Sequence, residues 1–479
     1  MRRTKIVCTL GPATNSYDSV YALVRAGMDV ARLNFSHGAH EEHARTIQHV
    51  RHAAADVGRE VAVLQDLAGP KIRVGQLPEK GVALRNGESF TLTVCDIPGT
   101  DSIVSVNHPQ LPYDVRSGDR ILLADGSLEL AVTDVKPPDV HCRVVVGGIL
   151  MSRKGVSVPS ATLSIKTFTE KDRQDLAFGI EQGVDMIALS FVRNADDLRQ
   201  VRLWLKEHNA DLPVIAKIEQ HEVLDCLDEV IAESDGVMVA RGDLGVEIPI
   251  EKVPTVQKKL IRKANSAGRL VITATQMLRS MVENSRPTRA EVTDVANALI
   301  DGTDAVMLSE ETAVGHYPVQ TVSMMDSICR ETENTADFSP FRKQEVAGGP
   351  GEVVATAVTA SVCRIADEVA AAAIVTPTMS GTTARLVSRH RPAQPIMALT
   401  PDPKTLKVLC LAWGVMPLLV SEFPDADSMI AAAAEVAAHP AERAAARRDP
   451  RAEPARSPRP GARPAAPRRP VRLRRQLSL

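Results

Sequence analysis

The stretch PVIAKIEQHEVLDCLDEVIAESDGVMVARGD, residues 213–243, opens on a short apolar run, closes on another, and carries a helix-like mixture of polar and apolar residues between them. A run rich in β-branched residues, then a helical pattern, then a second such run is how a strand–helix–strand unit reads. Both runs end on charge, Lys217 and Glu219 in the first and Arg241 and Asp243 in the second. Outward from this stretch the same texture recurs in KIVCTL (5–10), VARLNF (30–35), VAVLQD (61–66), MIALSF (186–191), LVITAT (270–275) and AVMLS (305–309), which with PVIAKIE (213–219) and GVMVARGD (236–243) makes eight runs. Eight parallel strands with intervening helices predict an α/β fold, a (β/α)8 TIM barrel whose interior is filled by branched side chains and whose site lies at the strands' C-terminal ends.

The spacing breaks once. Between the third and fourth runs the texture changes to alternating segments such as ESFTLTV, DRILLADGSLELAV and HCRVVVGG, with Gly and Pro between them. This predicts an inserted β-barrel lid domain, residues 70–166, in a catalytic barrel made of 1–69 and 167–340. An insertion that leaves after a strand's C-terminal end emerges at the mouth, where it closes over substrate. Past residue 340, AAIVTP, SGTTARLVSRH and PIMALTP read as strand, turn with helix, and strand, so 345–437 is expected to form a C-terminal α/β domain. The segment 438–479 is rich in Arg, Pro and Ala and is expected to be disordered, because it has too little apolar surface to offset its ordering entropy.

Composition excludes several classes. Apolar residues make up 44% of the 479 and charged residues 24%, and no apolar stretch approaches the roughly 20 residues of a bilayer span. Neither a membrane partner nor a secretory leader is expected. The seven cysteines form no CxxC pair, which fits a reducing cytoplasm. Twelve Arg against Glu442, Asp449 and Glu453 leave residues 439–479 at +9, so the remaining chain sits near −11. An Arg-rich segment can bind phosphate backbones, but this one has no aromatic residue to stack bases, and no nucleic-acid partner is expected.

The strand ends carry the chemistry. Arg32, Asn34 and Ser36 follow the second run, Asp66 the third, Lys217 and Glu219 the fifth, Arg241 and Asp243 the sixth, and Thr275 the seventh. One polar residue at a barrel strand end is as often structural as functional, whereas five ends converging on one mouth point to a site. Glu219 and Asp243 offer two carboxylates to a hard cation such as Mg²⁺, with Mn²⁺ equally acceptable to oxygen ligands. Lys217 and Arg32 supply fixed positive charge of the kind phosphoryl transfer uses. Gly242 lets backbone amides approach a carboxylate.

RLNFSHG (32–38), DLAGPKIRVG (66–75), KIEQHEVLDCLDEVIAESDGVMVARGDLGVEIP (217–249), ITATQMLRSMVENSRPTRAEVTDVANALIDGTDAVMLSEETAVGHYP (272–318) and SGTTARLVSRHRP (380–392) resemble, in order and spacing, segments of the pyruvate kinases of bacteria. The resemblance runs to about Ala437. It implies transfer of the phosphoryl group of phosphoenolpyruvate to ADP, giving pyruvate and ATP in glycolysis. It further implies that Glu219 and Asp243 bind Mg²⁺, Lys217 stabilises the moving phosphoryl group, and Arg32 holds phosphoenolpyruvate. Thr275 with the amides of Gly242 and Asp243 holds the carboxylate, Asn34, His37, Arg73 and Lys154 lie near the nucleotide phosphates, and the enzyme is a homotetramer.

The sequence departs from that family in two places. Many relatives hold K⁺ with residues matching Asn34, Ser36, Asp66 and the carbonyl of Leu67, and carry Glu where this chain has Lys71 and Thr where it has Leu67 and Val74. Lys71 brings its own positive charge, so activity without K⁺ is expected. The loop Thr378, Ser380, Gly381, Thr382 and Thr383 matches part of a sugar-phosphate effector site, but further strands that complete that domain in the family are replaced by the Arg/Pro/Ala segment. This reads as a frameshift near residue 437, and the alternative to an active kinase is a catalytically impaired remnant.

Overall fold

The computed structural model describes residues 2–343, 350–422 and 425–438. Eight parallel strands close into a barrel: β1 (Lys5–Leu10), β2 (Val30–Asn34), β3 (Ala62–Asp66), β4 (Met186–Leu189), β5 (Val214–Ile218), β6 (Gly236–Ala240), β7 (Leu270–Ala274) and β8 (Ala305–Leu308), each paired with the next and β8 with β1. Several runs stop earlier than their apolar texture implies. Phe191 and Thr275 have φ of +58° and +70°, a left-handed backbone that ends β4 and β7 before them. Arg241–Glu247 is a short helix, so Arg241, Gly242 and Asp243 form its first turn and do not continue β6. Glu219 likewise lies one residue past β5.

Side chains alternate across each strand. Val7, Val30, Leu64, Ala188, Ile215, Met238, Ile272 and Met307 belong to one buried cluster that fills the barrel, whereas Cys8, Ala31, Val63, Ile187, Ala216, Val237, Val271 and Val306 belong to a second, packed against the helices. Two residues beyond the inward hydrophobe, the same face turns polar on five strands: Thr9, Arg32, Asp66, Ser190 and Lys217. The apolar file is therefore the plug of the barrel, and this polar layer is the floor of its mouth.

The insertion after β3 forms a six-stranded sheet, in the order Val156–Ser157, Arg120–Leu123, Leu128–Lys136, Asp139–Val146, Ser89–Thr93 and Ile103–Ser105, beside a two-stranded sheet of Val82–Leu84 and Gly148–Leu150. The expected β-barrel is shut only by isolated bridges, Arg73 with Gly155 and Val74 with Val106, so Arg73 and Val74 form the seam between the sheet's two edges. Its interior is mainly apolar, with Phe90, Leu92, Ile121, Leu130 and Val140 buried, beside a buried pair of His108 Nε2 and Asp114 Oδ2 at 2.6 Å.

The C-terminal unit has a three-stranded parallel sheet in the order Ile374–Pro377, Ile396–Thr400 and Val415–Leu419. It packs on the barrel's N-terminal end, where Ile374, Ile396 and Val415 join the cluster that fills the barrel. Arg391, fully buried, donates to Asp304 Oδ1 at 2.9 Å and to the Gly302 carbonyl at 2.5 Å, and lies 5.0 Å above the Trp413 ring. The expected boundary at residue 345 and the Arg/Pro/Ala-rich segment 439–479 lie outside the described residues. No helix among the described residues is long and apolar enough to cross a membrane, and all seven cysteines are free.

Candidate active site

The polar floor is one hydrogen-bonded set. Arg32 Nε donates to Asp66 Oδ2 at 2.6 Å and Nη1 to Thr9 Oγ1 at 2.8 Å. Lys217 Nζ lies 3.4 Å from Asp66 Oδ1 and 3.2 Å from Glu219 Oε2, and donates to Ser190 Oγ at 2.6 Å. Burial opposes charge on Asp66, but Arg32 and Lys217 outweigh it and hold its carboxyl below the usual range. Burial also opposes charge on Lys217, and Asp66, Glu219 and Asp243 together keep the ammonium above its ordinary pKa. These partners hold the lysine as a cation.

Glu219 is different. Burial, with Asp243 and Asp66 adding negative charge, pushes its carboxyl up to about 7 against the pull of Lys217 and the Phe191 amide. The Phe191 N–H donates to Oε1 at 2.6 Å, while Oε2 is buried with no hydrogen-bond donor, since Lys217 lies off the direction a hydrogen bond needs. A buried carboxylate oxygen without a donor, beside a second carboxylate, is a donor set that fits a hard divalent cation. The second carboxylate, Asp243, is about two-fifths exposed at the mouth, with Lys71 Nζ 3.7 Å from its Oδ1.

Next to Asp243 the Gly242 N–H donates to Thr275 Oγ1 at 2.8 Å, and Thr275 Oγ1 donates to the Ala274 carbonyl at 2.6 Å. The turn at Thr275 and Gln276, with φ of +70° and +54°, is held from behind by Arg241, whose Nη2 donates to the Thr275 carbonyl at 2.6 Å and whose Nη1 donates to Asp294 at 2.7 Å. The Gly242 N–H and the Thr275 hydroxyl are thus engaged with each other and with the Ala274 carbonyl, and a small carboxylate at this helix start would take over those donors.

The remaining expected residues divide into two groups. Asn34 Oδ1 accepts from the Ser36 amide at 3.1 Å, and Leu67 and Val74 are both packed in hydrocarbon, so neither position offers an oxygen from its side chain. Burial, then the charges of Arg73, Lys71 and Arg32, push His37 down from its ordinary pKa and favour its neutral ring. Lys154 is exposed on the lid, where its carbonyl accepts from the Val74 amide. The loop of Thr378, Ser380, Gly381, Thr382 and Thr383 is in the C-terminal unit: Gly381 takes φ of +77° ahead of the helix Thr382–Ser388, and Ser380, Thr382 and Thr383 are exposed. Sequence reasoning missed Thr9 and Ser190, although counting two residues on from Val7 and Ala188 leads to both. It also missed the trio His221, Glu222 and Glu247 beside the mouth, where His221 Nδ1 sits 3.0 Å from Glu247 and 3.3 Å from Glu222.

Residues 1–322 match the family model described as the barrel domain of pyruvate kinase, and residues 356–449 match the one described as its alpha/beta domain. The chain belongs to the pyruvate kinase family. It is 49% identical to pyruvate kinase 2 of Synechocystis over 440 residues, 91% of this chain and 74% of that one. It is 46% identical to the pyruvate kinase of Thermococcus litoralis over 423 residues, 88% and 89% of the two chains. A crystal structure of a pyruvate kinase from Cryptosporidium parvum superposes with a TM-score of 0.86 at 38% identity, covering 92% of each chain. The pyruvate kinase barrel match contains the whole polar floor, and the alpha/beta match runs on to residue 449, past the residue 437 at which the resemblance is expected to stop.

Proposed function

We propose that the chain transfers the phosphoryl group of phosphoenolpyruvate to ADP, with Lys217, Arg32, Glu219, Asp243 and Thr275 as its working residues. The observation that carries this reading is the pairing of the Lys217 ammonium, held by Ser190 and Asp66, with a Glu219 oxygen that has no hydrogen-bond donor. The bond from phosphorus to the enol oxygen breaks, a bond to a terminal oxygen of ADP forms, and the enol product takes a proton at carbon to become pyruvate. Glu219 and Asp243 would hold Mg²⁺, or Mn²⁺, which when bound neutralises phosphoryl oxygens. Lys217 and Arg32 face the same oxygens from a floor that needs no rearrangement, because Asp66, Thr9 and Ser190 already fix them. Thr275 and the Gly242–Asp243 amides orient the carboxylate, and Asn34, His37, Arg73 and Lys154 receive the nucleotide phosphates under the lid, residues 70–166.

Lys71 takes the place of a bound K⁺. Its ammonium, 3.7 Å from Asp243, supports this reading, as do the hydrocarbon side chains of Leu67 and Val74, which offer no hydroxyl to a cation. The Thr378–Thr383 hydroxyls form an effector-phosphate loop. A homotetramer fits the helix Pro350–Glu368, which leaves Val354, Val358 and Ile365 more than half exposed, and light scattering giving a monomer mass would end that idea. Free thiols throughout fit the cytoplasm.

The test is pyruvate formation from phosphoenolpyruvate and ADP with Mg²⁺, with and without K⁺, for the parent chain and Lys217→Ala. Turnover that K⁺ leaves unchanged, and that falls about a hundredfold or more in Lys217→Ala, is expected. Turnover that requires K⁺ would remove the Lys71 assignment, and an active Lys217→Ala would remove the mechanism.

A further inference from the structure

Ser190 and Phe191 make the turn that ends β4, and four separate contacts meet there. Ser190 is buried and has one hydroxyl proton and two lone pairs. The proton goes to the Leu67 carbonyl at 2.7 Å, nearer than the other acceptor, Asp66 Oδ1 at 3.4 Å, and this turns a lone pair toward Lys217 Nζ at 2.6 Å. This is the shortest contact of the ammonium, since Asp66 and Glu219 lie at 3.4 and 3.2 Å. The next residue in the chain holds Glu219 through its backbone N–H at 2.6 Å. One dipeptide therefore fixes both the cation and the carboxylate of the floor.

The conformation is costly and is enforced from outside. A phenylalanine at φ +58° is a genuine outlier, which persists only where its surroundings over-determine it. Gly69, itself at φ +63° where the chain leaves for the lid, packs so closely on the turn that a Cβ there would meet Phe191 Cδ2 at 2.6 Å and Ser190 Cβ at 3.0 Å. Two residues further on, Arg193 donates to the carbonyls of Leu163 and Ile165 at 2.7 and 2.5 Å, on the segment by which the chain returns from the lid. Both crossings between lid and barrel thus bear on the segment Ser190–Arg193.

We propose that Ser190 is a positioning residue for phosphoryl transfer, setting Lys217 at the height where its charge meets the moving phosphoryl group. It does not touch substrate. Its hydroxyl chooses among the places the ammonium can take between Asp66 and Glu219. This rests on the assignment of Lys217 above.

The experiment compares the parent chain, Ser190→Ala and Lys217→Ala in kcat, KM for phosphoenolpyruvate, half-saturating Mg²⁺ and thermal midpoint. Removing an outer partner of a working residue typically costs ten- to a hundredfold, and a fall of about that size in kcat is expected for Ser190→Ala. KM, the Mg²⁺ requirement and the thermal midpoint stay with the parent, because the Phe191 amide still holds Glu219. A kcat within about twofold of the parent would overturn the inference. So would a fall in kcat joined to weaker Mg²⁺ activation and a lower midpoint, which would mean that the turn had collapsed and the serine was only structural. Lys217→Ala separates the two levels: if it keeps full turnover the functional reading fails, and if it is inactive while Ser190→Ala is not, only this inference fails.

Discussion

Gly242 shows how much a single missing methyl group can matter. A Cβ added there would have as its nearest neighbours the side-chain atoms of Thr275, at 3.6–3.7 Å, an ordinary contact distance, and the backbone needs no left-handed angle at this position. The fold does not demand glycine. The methyl would nevertheless stand in front of the Thr275 hydroxyl and the amide bonded to it at 2.8 Å, where a carboxylate would approach. Gly242→Ala is therefore expected to keep the parent's thermal midpoint and to raise KM for phosphoenolpyruvate about tenfold or more, the equivalent of about 1.4 kcal/mol. An unchanged KM in steady-state kinetics would mean that the carboxylate sits elsewhere.

At the scale of elements, the apolar runs announced the eight strands, because strands buried on both faces have to be continuously hydrophobic. The charged residues at their ends were legible for the same reason, as interruptions of that pattern. Ser190 and Thr9 were not, since a small hydroxyl residue after a strand reads as an ordinary boundary and only its place in the inward file gives it weight. The turns at Phe191 and Thr275 were invisible, because an aromatic or β-branched residue at positive φ contradicts its own propensity and is imposed by tertiary packing. His390, just past the helix Thr382–Ser388, is a similar case. Burial, with Arg389 and Arg391 alongside, pushes its imidazole down to about 4. The unfolded chain protonates this residue near its ordinary value of about 6.5, so the fold keeps the neutral ring, and its contribution is intact above that pH and lost as pH falls toward 4. Denaturant melts at stepped pH should show the parent losing stability across this window and His390→Asn losing less. Equal slopes in the two proteins would assign the acid sensitivity to other groups.

For the whole molecule, the question is whether the barrel and the C-terminal unit behave as one body. Their junction is polar at its centre. Arg391 takes a left-handed backbone at φ +49° and spends its guanidinium on Asp304, just ahead of β8, and on the Gly302 carbonyl, with the Trp413 ring stacked against it. Around this lies the apolar cluster that continues from the barrel interior into the C-terminal sheet. Cutting Arg391 to alanine leaves Asp304 buried without its partner, and breaking a buried pair in this way typically costs about 3–5 kcal/mol. The chain's two tryptophans allow this loss to be located, because Trp204 lies in the barrel's helical layer and Trp413 at the junction. With Trp204→Phe as the background, Trp413 fluorescence reports the junction and loss of turnover reports the barrel mouth. In that background both signals are expected to fail at one denaturant concentration, since the shared cluster makes separation expensive. After Arg391→Ala the Trp413 transition should move to lower denaturant ahead of the loss of turnover, because the barrel keeps its own plug of Val7, Val30, Leu64, Ile215 and Met238. If the two transitions still coincide at an unshifted midpoint, the apolar contact alone holds the bodies together and the buried pair contributes nothing net. If they coincide at a lower midpoint, the barrel depends on the C-terminal unit to close its lower end, and the two are a single cooperative structure.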